Sequence, residues 1–126
     1  VIPLLESSLY HLLDSCLDGN LSDADLKISD RTAVTVVLAA EGYPNSYKKG
    51  MKIDGLDKIS NESVCHAGTK LIDSAIVTSG GRVLNVIGFG ENLQSAIDEV
   101  YKISEKINFE GKFFRRDIGQ KGLSYK

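Results

Sequence analysis

Apolar residues recur at three- and four-residue steps near the start of the chain, between residues 3 and 18. Because that spacing places side chains on one face of a helix, this segment is predicted to form an amphipathic helix. Pro3 suits its first turn, and Gly19 suits the left-handed residue that ends it. The apolar positions are Leu5, Leu9, Leu12, Leu13, Cys16 and Leu17. The polar segment 20–31 that follows is rich in Asp and Ser, which predicts a connector.

The next apolar run, TAVTVVLAA, begins at Thr32 and is rich in β-branched residues. It is too uniformly apolar for a half-exposed strand, so we predict a strand that is covered on both faces. Four shorter β-prone segments follow, separated by Gly, Asp, Asn and Ser, as in antiparallel strands joined by tight turns. These segments are MKIDGL, SVCHAGTKL, SAIVTSGG and RVLNVIGFG.

A second helical pattern begins after Asn92, a residue suited to cap a helix N-terminus. Its apolar positions are Leu93, Ala96, Ile97, Val100, Tyr101 and Ile107. The segment KFFRR, residues 112–116, is predicted to return as a last strand. The order of helix, loop, strands, helix and strand favours an α+β fold with a mainly antiparallel sheet.

Composition narrows the possible classes of function. The 126 residues, 42% of them hydrophobic, suffice for one domain with a real core. A net charge of -2 and a pI near 5.7 provide no global basic field, which disfavours nucleic-acid binding. Cys16 and Cys65 are too few for a disulfide framework, which favours a reducing cytoplasm, and Cys65 is predicted to be a small buried hydrophobe.

No signal peptide or membrane-spanning run is recognisable in the sequence. The chain starts at Val1, inside an apolar phrase, and we therefore expect it to be part of a longer polypeptide.

The phrase VLNVIGFGENLQSA imitates the strand, turn and helix of a dinucleotide-binding unit. Leu93 stands where that motif needs its third glycine, and no acidic residue closes a following parallel strand. A plain strand-to-helix turn is therefore favoured. His66, in CHAGT, has no serine or second histidine at a spacing typical of a catalytic pair or a metal site, so a structural hydrogen bond is favoured there.

The basic residues offer the remaining candidate chemistry. In EGYPNSYKKG, Tyr43 and Tyr47 supply rigid rings, and Lys48 and Lys49 are expected to face solvent. Three arginines lie beside glycines or at strand ends, where their guanidinium groups suit phosphate oxygens. They are Arg82, Arg115 and Arg116.

Arg115 and Arg116 are adjacent, and neighbouring strand residues face opposite sides. At most one of them is therefore expected to reach a given site, while the other pairs with an acid such as Asp117. From the residues alone, phosphate binding and a surface ion pair remain equally open.

Four phrases, taken together in their order and spacing, resemble the C-terminal domain of glycinamide ribonucleotide synthetases, also called phosphoribosylamine–glycine ligases, of the ATP-grasp superfamily. They are VLAAEGYPNSYKKG, CHAGTK, SGGRVLNVIGFGENLQSAIDEVY and INFEGKFFRRDIG, within residues 32–123. The phrase PLLESSLYHLLDSCLDG is similar to the last helix of the preceding ATP-grasp domain. The resemblance implies a terminal ATP-grasp helix at 1–20, a connector at 21–31 and a C-terminal ligase domain at 32–126. The family's C-terminal domain is a small, mainly antiparallel, barrel-like sheet with helices, so the resemblance implies the same fold here.

What the resemblance implies is a cytoplasmic, ATP-dependent ligase of purine biosynthesis. Glycine would be activated by ATP and Mg²⁺ as glycyl phosphate and joined to 5-phosphoribosylamine, releasing ADP and phosphate. The implied partners are these small molecules and the upstream ATP-grasp domain, with no nucleic acid and no membrane. The family phrase RFGDPE and the phosphate-covering loops have no counterpart here, so nucleotide and magnesium binding are expected mainly outside this chain. No metal ligand or catalytic residue is assigned, and the 126 residues alone are expected to be inactive.

The resemblance also implies a substrate site. In related ATP-grasp enzymes basic residues near the C-terminus hold the ribose 5-phosphate, which points to Arg115 or Arg116 here. The residues implied to shape the cleft are Gly42, Tyr43, Pro44, His66, Ala67, Gly68 and Thr69. Asn45 replaces a family glycine but tolerates positive φ. The ending GQKGL departs from the commoner GHRAL, so the resemblance carries no assignment past Gly119.

A noncatalytic barrel-sandwich carrier or docking module is the alternative class. Such carriers present one lysine at an exposed hairpin tip within an acidic or methionine-flanked phrase. No such phrase surrounds Lys52, Lys58 or Lys70.

Overall fold

The computed structural model describes residues 1–23 and 26–125, so residues 24 and 25 of the predicted connector, and residue 126, lie outside it. The helices within these ranges are α1 (Leu9–Leu17) and α2 (Leu93–Lys106). The strands are β1 (Thr32–Ala40), β2 (Val64–His66), β3 (Thr69–Ile72), β4 (Ala75–Thr78), β5 (Arg82–Gly90) and β6 (Lys112–Phe113). The predicted α+β class is confirmed.

Four strands form the main sheet, in the antiparallel order β2-β5-β1-β6. Strands β3 and β4 form a separate hairpin, whose two-residue turn holds Asp73 and Ser74 at φ of 46° and 64°. The predicted strand MKIDGL is reduced to isolated bridges at Lys52 and Asp54. The predicted strand KFFRR is reduced to the two residues of β6 at the sheet edge.

Helix α2 packs on one face of the two central strands, and this contact forms the core. The core residues of β1 and β5 on this face, Val36, Leu38, Leu84 and Val86, are at most 1% exposed. Gly88 allows the close approach, since a Cβ at that position would overlap the backbone of Val100 in α2. The glycines of the VIGFG phrase thus serve helix packing inside a strand, in agreement with the plain strand-to-helix interpretation.

The opposite face of the main sheet is partly open. Thr35 and Val37 are exposed in β1, Val37 to 37%. The prediction that this strand is covered on both faces is therefore wrong, because within residues 1–23 and 26–125 the sheet is covered by α2 on one face and left exposed at Thr35 and Val37 on the other. The prediction that Cys65 is buried is also wrong, since it lies exposed on β2 opposite Asn85. We call this uncovered side of the main sheet, which includes Thr35, Val37 and Cys65, the open face.

The two helices differ in how they begin. The capping box of Asn92 and Ser95 starts α2 as predicted, with Ser95 N donating to Asn92 Oδ1 at 3.0 Å. The helix predicted over residues 3–18 begins only at Leu9, after its cap Ser8. Leu5 is drawn into a bridge with Ile28 instead, and Ile2–Leu4 form a 3-10 turn.

The end of α1 agrees with the prediction, because Gly19 follows it at φ 73°. No residue of α1 is buried. Three of its leucines, spaced by four residues, are exposed on one stripe: Leu9, Leu13 and Leu17.

Candidate functional site

The loop after β1 carries two tyrosines to the edge of the open face. Tyr43 N donates to Ala40 O at 3.1 Å, and the peptide between Tyr43 and Pro44 is cis. The ring of Tyr43 lies directly on Gly81, where an added Cβ would overlap it. The ring centroid of Tyr47 is 6.0 Å away in an edge-on arrangement. Because Gly81 has no side chain, the ring of Tyr43 can pack directly against the sheet.

A β-bulge at the start of β5 decides where Arg82 points. Leu38 pairs with Leu84 and Ala39 pairs with Arg82, which leaves Val83 as the extra residue. Val83 and Leu84 are consecutive and yet both fully buried in the core. Since strand residues alternate between faces, a regular register would direct Arg82 toward the core, and the one-residue shift directs it to the open face.

Two adjoining cavities on the open face share Val37, Tyr43 and Arg82. We call them together the tyrosine–arginine groove. The polar lobe, of about 590 Å³, is completed by Tyr47, Ala67, Gly68, Gly81 and Asn85. The apolar lobe, of about 250 Å³, is completed by Thr35, Val36, Ala39, Phe113, Phe114, Arg115 and Ile118.

The charge of the groove is positive. Within residues 1–23 and 26–125, the charged side chains that line the two lobes are Arg82 and Arg115, and no Asp or Glu lines either lobe. The chain as a whole is acidic. This surface therefore has the electrostatic character of an anion site, although the net charge of the protein does not predict one.

Arg115 lies at the rim of the apolar lobe and is held by a carboxylate. Its Nε and Nη2 donate to the two oxygens of Asp117 at 2.9 and 2.6 Å. The hydrogen bond from Arg115 is the largest cause that lowers the pKa of the Asp117 carboxyl. Tyr101 fixes this segment, because its hydroxyl donates to Arg115 O and accepts from Ile118 N, both at 3.0 Å.

Arg116 points elsewhere. Its Nη2 donates to Glu105 Oε1 of α2 at 2.8 Å, and its guanidinium lies 4.9 Å from the ring centroid of Phe114. Arg116 does not line the tyrosine–arginine groove. The fold therefore separates the two adjacent arginines, and the phosphate role predicted for one of them stays a prediction.

The other predicted cleft residues fall into two groups. Tyr43, Ala67 and Gly68 line the polar lobe. Those that line neither lobe are Gly42, Pro44, His66 and Thr69.

His66 is turned away from the groove. Its Nδ1 lies 2.9 Å from Thr69 Oγ1, which agrees with a structural hydrogen bond. Gly42 lines a different cavity, of about 490 Å³, together with Lys48 and Glu110. Lys48 is exposed as expected, with its Nζ 3.2 Å from Glu110 Oε1.

Residue patterns missed part of the groove. Val37 and Asn85 enter it because they are paired across β1 and β5, which no local pattern reveals. The sequence makes Arg82 a candidate phosphate ligand but does not place it in the predicted cleft. The one available signal was its position after Gly80 and Gly81, where the backbone accepts close neighbours.

Two further properties concern the described residues as a whole. No group of three His, Cys, Asp or Glu side chains within 1–23 and 26–125 is arranged to hold a metal ion. Over the same ranges, neither helix has the length and apolar character that crossing a bilayer would need.

Comparisons with known proteins show which family this chain matches. The family model described as "Phosphoribosylglycinamide synthetase, C domain" matches residues 33–121. The bifunctional purine biosynthetic protein purD of Dictyostelium discoideum is 47% identical over 99% of this chain, which spans 16% of that relative. A phosphoribosylamine–glycine ligase of Caldanaerobacter subterraneus is 41% identical over 94% of this chain, which spans 28% of it.

A solved structure agrees with these relatives. The crystal structure of the phosphoribosylamine–glycine ligase from Thermotoga maritima superposes with a TM-score of 0.66 at 35% sequence identity. The match covers 83% of this chain and 27% of that one. The chain thus spans less than a third of the length of each of these relatives.

Proposed function

The chain belongs to the phosphoribosylglycinamide synthetase C-domain family, and we infer from this that it is the C-terminal part of a phosphoribosylamine–glycine ligase. The full-length protein is an ATP-dependent carbon–nitrogen ligase of purine biosynthesis. It activates glycine as glycyl phosphate and joins it to 5-phosphoribosylamine, with release of ADP and phosphate. The observation that carries the proposal is the family match over residues 33–121.

This chain's own contribution is to position an anionic substrate. Such a ligation depends on holding its reactants in line and neutralising phosphate charge. The tyrosine–arginine groove supports that role, because it combines cations with rigid rings and has no carboxylate among its described lining residues. Tyr43 and Gly68 shape the groove. The family resemblance makes Arg115 or Arg116 one candidate for the phosphate ligand. Gly42, Pro44, His66 and Thr69 are proposed to support the surrounding loops.

The described residues do not fit a nucleotide or a magnesium ion. The Gly-x-Gly phrase ends β5 against α2 and leaves no phosphate cradle, and no acidic cluster suits Mg²⁺. Bound in the remainder of the ligase, ATP and Mg²⁺ would supply the activation of the glycine carboxylate. The 126-residue chain alone is accordingly proposed to be inactive.

Helix α1 is proposed to belong to the ATP-grasp domain, with residues 21–31 as the connector to the C-terminal ligase domain, 32–126. The support is physical: Leu9, Leu13 and Leu17 of α1 are exposed on one stripe, and no residue of this helix is buried. A helix with an apolar stripe ordinarily buries it against another element. The upstream domain of the same protein is the proposed partner.

The test is an assay of the full-length protein with glycine, phosphoribosylamine and ATP. We expect ADP formation that depends on both other substrates, and a product with the mass of glycinamide ribonucleotide. The 126-residue chain should give none. ADP formation that ignores glycine, or a full-length protein without product, would contradict the proposal.

The carrier alternative finds no support in the hairpin. Its turn holds Asp73 and Ser74, whereas a carrier needs a lysine at the tip. Lys70 lies within β3, and Lys52 Nζ lies 2.7 Å from Asp54 Oδ1. The intact mass of the protein from its native cells separates the two classes, since a carrier would bear a prosthetic adduct.

A further inference from the structure

We propose that Arg82 holds the 5-phosphate of the amine substrate in the polar lobe of the tyrosine–arginine groove. The proposal rests on the proposed function and assigns the phosphate to an arginine of the central sheet. It therefore differs from the assignment to the C-terminal pair, Arg115 and Arg116. Four observations support it: the direction of the Arg82 side chain, the rigidity of its backbone, its unpaired positive charge and the polar groups around it.

The direction of Arg82 depends on a local irregularity. Without the bulge at Val83, strand alternation would turn the Arg82 side chain toward the apolar core. The extra residue turns it to the open face instead, beside Val37 and Tyr43. Bulges are common next to active sites, where they re-aim a side chain. A bulge that brings a guanidinium into a cavity fits that use.

The backbone around Arg82 is fixed on both sides. Gly68 N donates to Arg82 O at 2.8 Å, and Ala40 N donates to Gly81 O at 2.8 Å. These bonds tie the start of β5 to the end of β1 and to the turn between β2 and β3. A ligand group built on such a rigid element loses little freedom when it binds, which favours affinity.

The charge of Arg82 is available. Among the described residues, each of the three other arginines has a carboxylate partner: Arg31 pairs with Glu62 at 3.8 Å, Arg115 with Asp117 and Arg116 with Glu105. The guanidinium of Arg82 has no hydrogen bond or ion pair within residues 1–23 and 26–125. An anion at Arg82 meets a full positive charge, whereas at Arg115 it also meets Asp117.

The surroundings of Arg82 suit a sugar phosphate. The polar lobe, at about 590 Å³, has the size typical of small-molecule sites. The hydroxyls of Tyr43 and Tyr47 and the amide of Asn85 are the polar groups that can bond ribose hydroxyls. The planar fork of a guanidinium matches two oxygens of a phosphate, which carries more charge than the single carboxylate of glycine.

The experiment is steady-state kinetics of the full-length protein, with each of the three substrates varied in turn. Arg82→Gln should raise the KM for phosphoribosylamine by about tenfold or more, because a charged hydrogen bond is lost. The KM values for glycine and ATP should change by less than about twofold. Arg82→Lys should fall between Arg82→Gln and wild type, since lysine keeps the charge but not the fork.

The matched control is Arg31→Gln, which removes an exposed guanidinium that stacks on Phe89, 4.2 Å from the ring centroid. It should leave all three KM values unchanged. Thermal unfolding of each variant shows that it is folded. Arg115→Gln and Arg116→Gln are measured alongside as the competing assignments.

The outcomes separate the inference from the function on which it rests. If the wild-type protein forms no glycinamide ribonucleotide, the proposed function fails. If wild type is active and folded Arg82→Gln and Arg82→Lys keep a normal KM for phosphoribosylamine, the role of Arg82 is overturned. A rise in the KM for ATP or glycine instead assigns the anion to the nucleotide or the amino acid and equally overturns it.

Discussion

The two faces of the main sheet are built from neighbouring residues of the same strands and differ in what they do. Leu38 faces α2 and is 0% exposed, while its neighbour Val37 is 37% exposed and lines the tyrosine–arginine groove. Strand alternation thus separates stability from recognition at single-residue spacing. The α2 face carries the core, and the open face is free to present polar and cationic groups.

Arg82 lies on the open face although regular strand alternation would place it on the other one. By plain alternation it belongs to the α2 face, where an unpaired guanidinium would be very costly to bury. The bulge moves it to the open face at the expense of one regular pair in the ladder. The open face is therefore more than an uncovered surface, because an altered register of the sheet places a cation on it.

The largest expected effect compares adjacent residues of β1. Leu38→Ala should reduce the free energy of unfolding by about 2–5 kcal/mol, because it leaves a cavity against α2. Val37→Ala should reduce it by less than about 1 kcal/mol, because its side chain already contacts solvent. Chemical denaturation of the 126-residue chain measures both. Equal losses would show that the open face is as well packed as the core and that the two faces do not differ in their contribution to stability.

A smaller effect is expected where the open face is itself closely packed, between Gly81 and Tyr43. Gly81→Ala should cost about 1–3 kcal/mol, since the new Cβ overlaps the Tyr43 ring. In a Tyr43→Ala background the same change should cost close to nothing. This double-mutant cycle isolates the contact that positions the ring. A cost that persists without the ring would place the strain in the backbone and show that contact with Tyr43 is not its cause.

Local patterns predicted the parts of the fold that local forces decide. Helix α2 with its cap Asn92, and the antiparallel order of short strands, follow from periodicity and turn residues. The exposure of Val37 in β1 was not predicted, because an apolar residue at this position fits a covered strand and an uncovered strand equally well. Its exposure depends on whether a second layer covers the sheet. The start of α1 was missed because Leu5 pairs with the distant Ile28.

The groove was predictable only in part, for a related reason. Tyr43 and Gly68 were indicated by family phrases and do lie in the polar lobe. Arg82 and Asn85 enter it through the register of β5, which is set by pairing with β1 and by one bulge. The partner of Arg116 is Glu105 on α2, a choice that depends on how the C-terminal segment returns across the helix. Such pairings depend on the tertiary structure, so a short stretch of sequence does not reveal them.

The smallest expected effect distinguishes the two arginines of the groove. Arg115 holds the pKa of Asp117 below its usual value. Since this folded-state pKa is depressed, its contribution to stability is present above the unfolded value and is lost as pH falls through the folded value. Both side chains are exposed, so the contribution is small and is screened by salt. Arg115→Gln should raise the pKa of Asp117 toward its ordinary value, as measured by an NMR titration of the carboxyl carbon.

The same titration, repeated on the full-length protein with ribose 5-phosphate at saturation, shows which arginine meets the phosphate. If Arg82 binds it, Arg115 keeps its bidentate bond and the pKa of Asp117 stays low. If Arg115 turns to the phosphate instead, Asp117 loses its donor and gains a nearby anion, and both changes raise its pKa. A ligand-induced rise in the pKa of Asp117 would therefore show that Arg115, and not Arg82, binds the phosphate. The bulge at Val83 would then need another explanation.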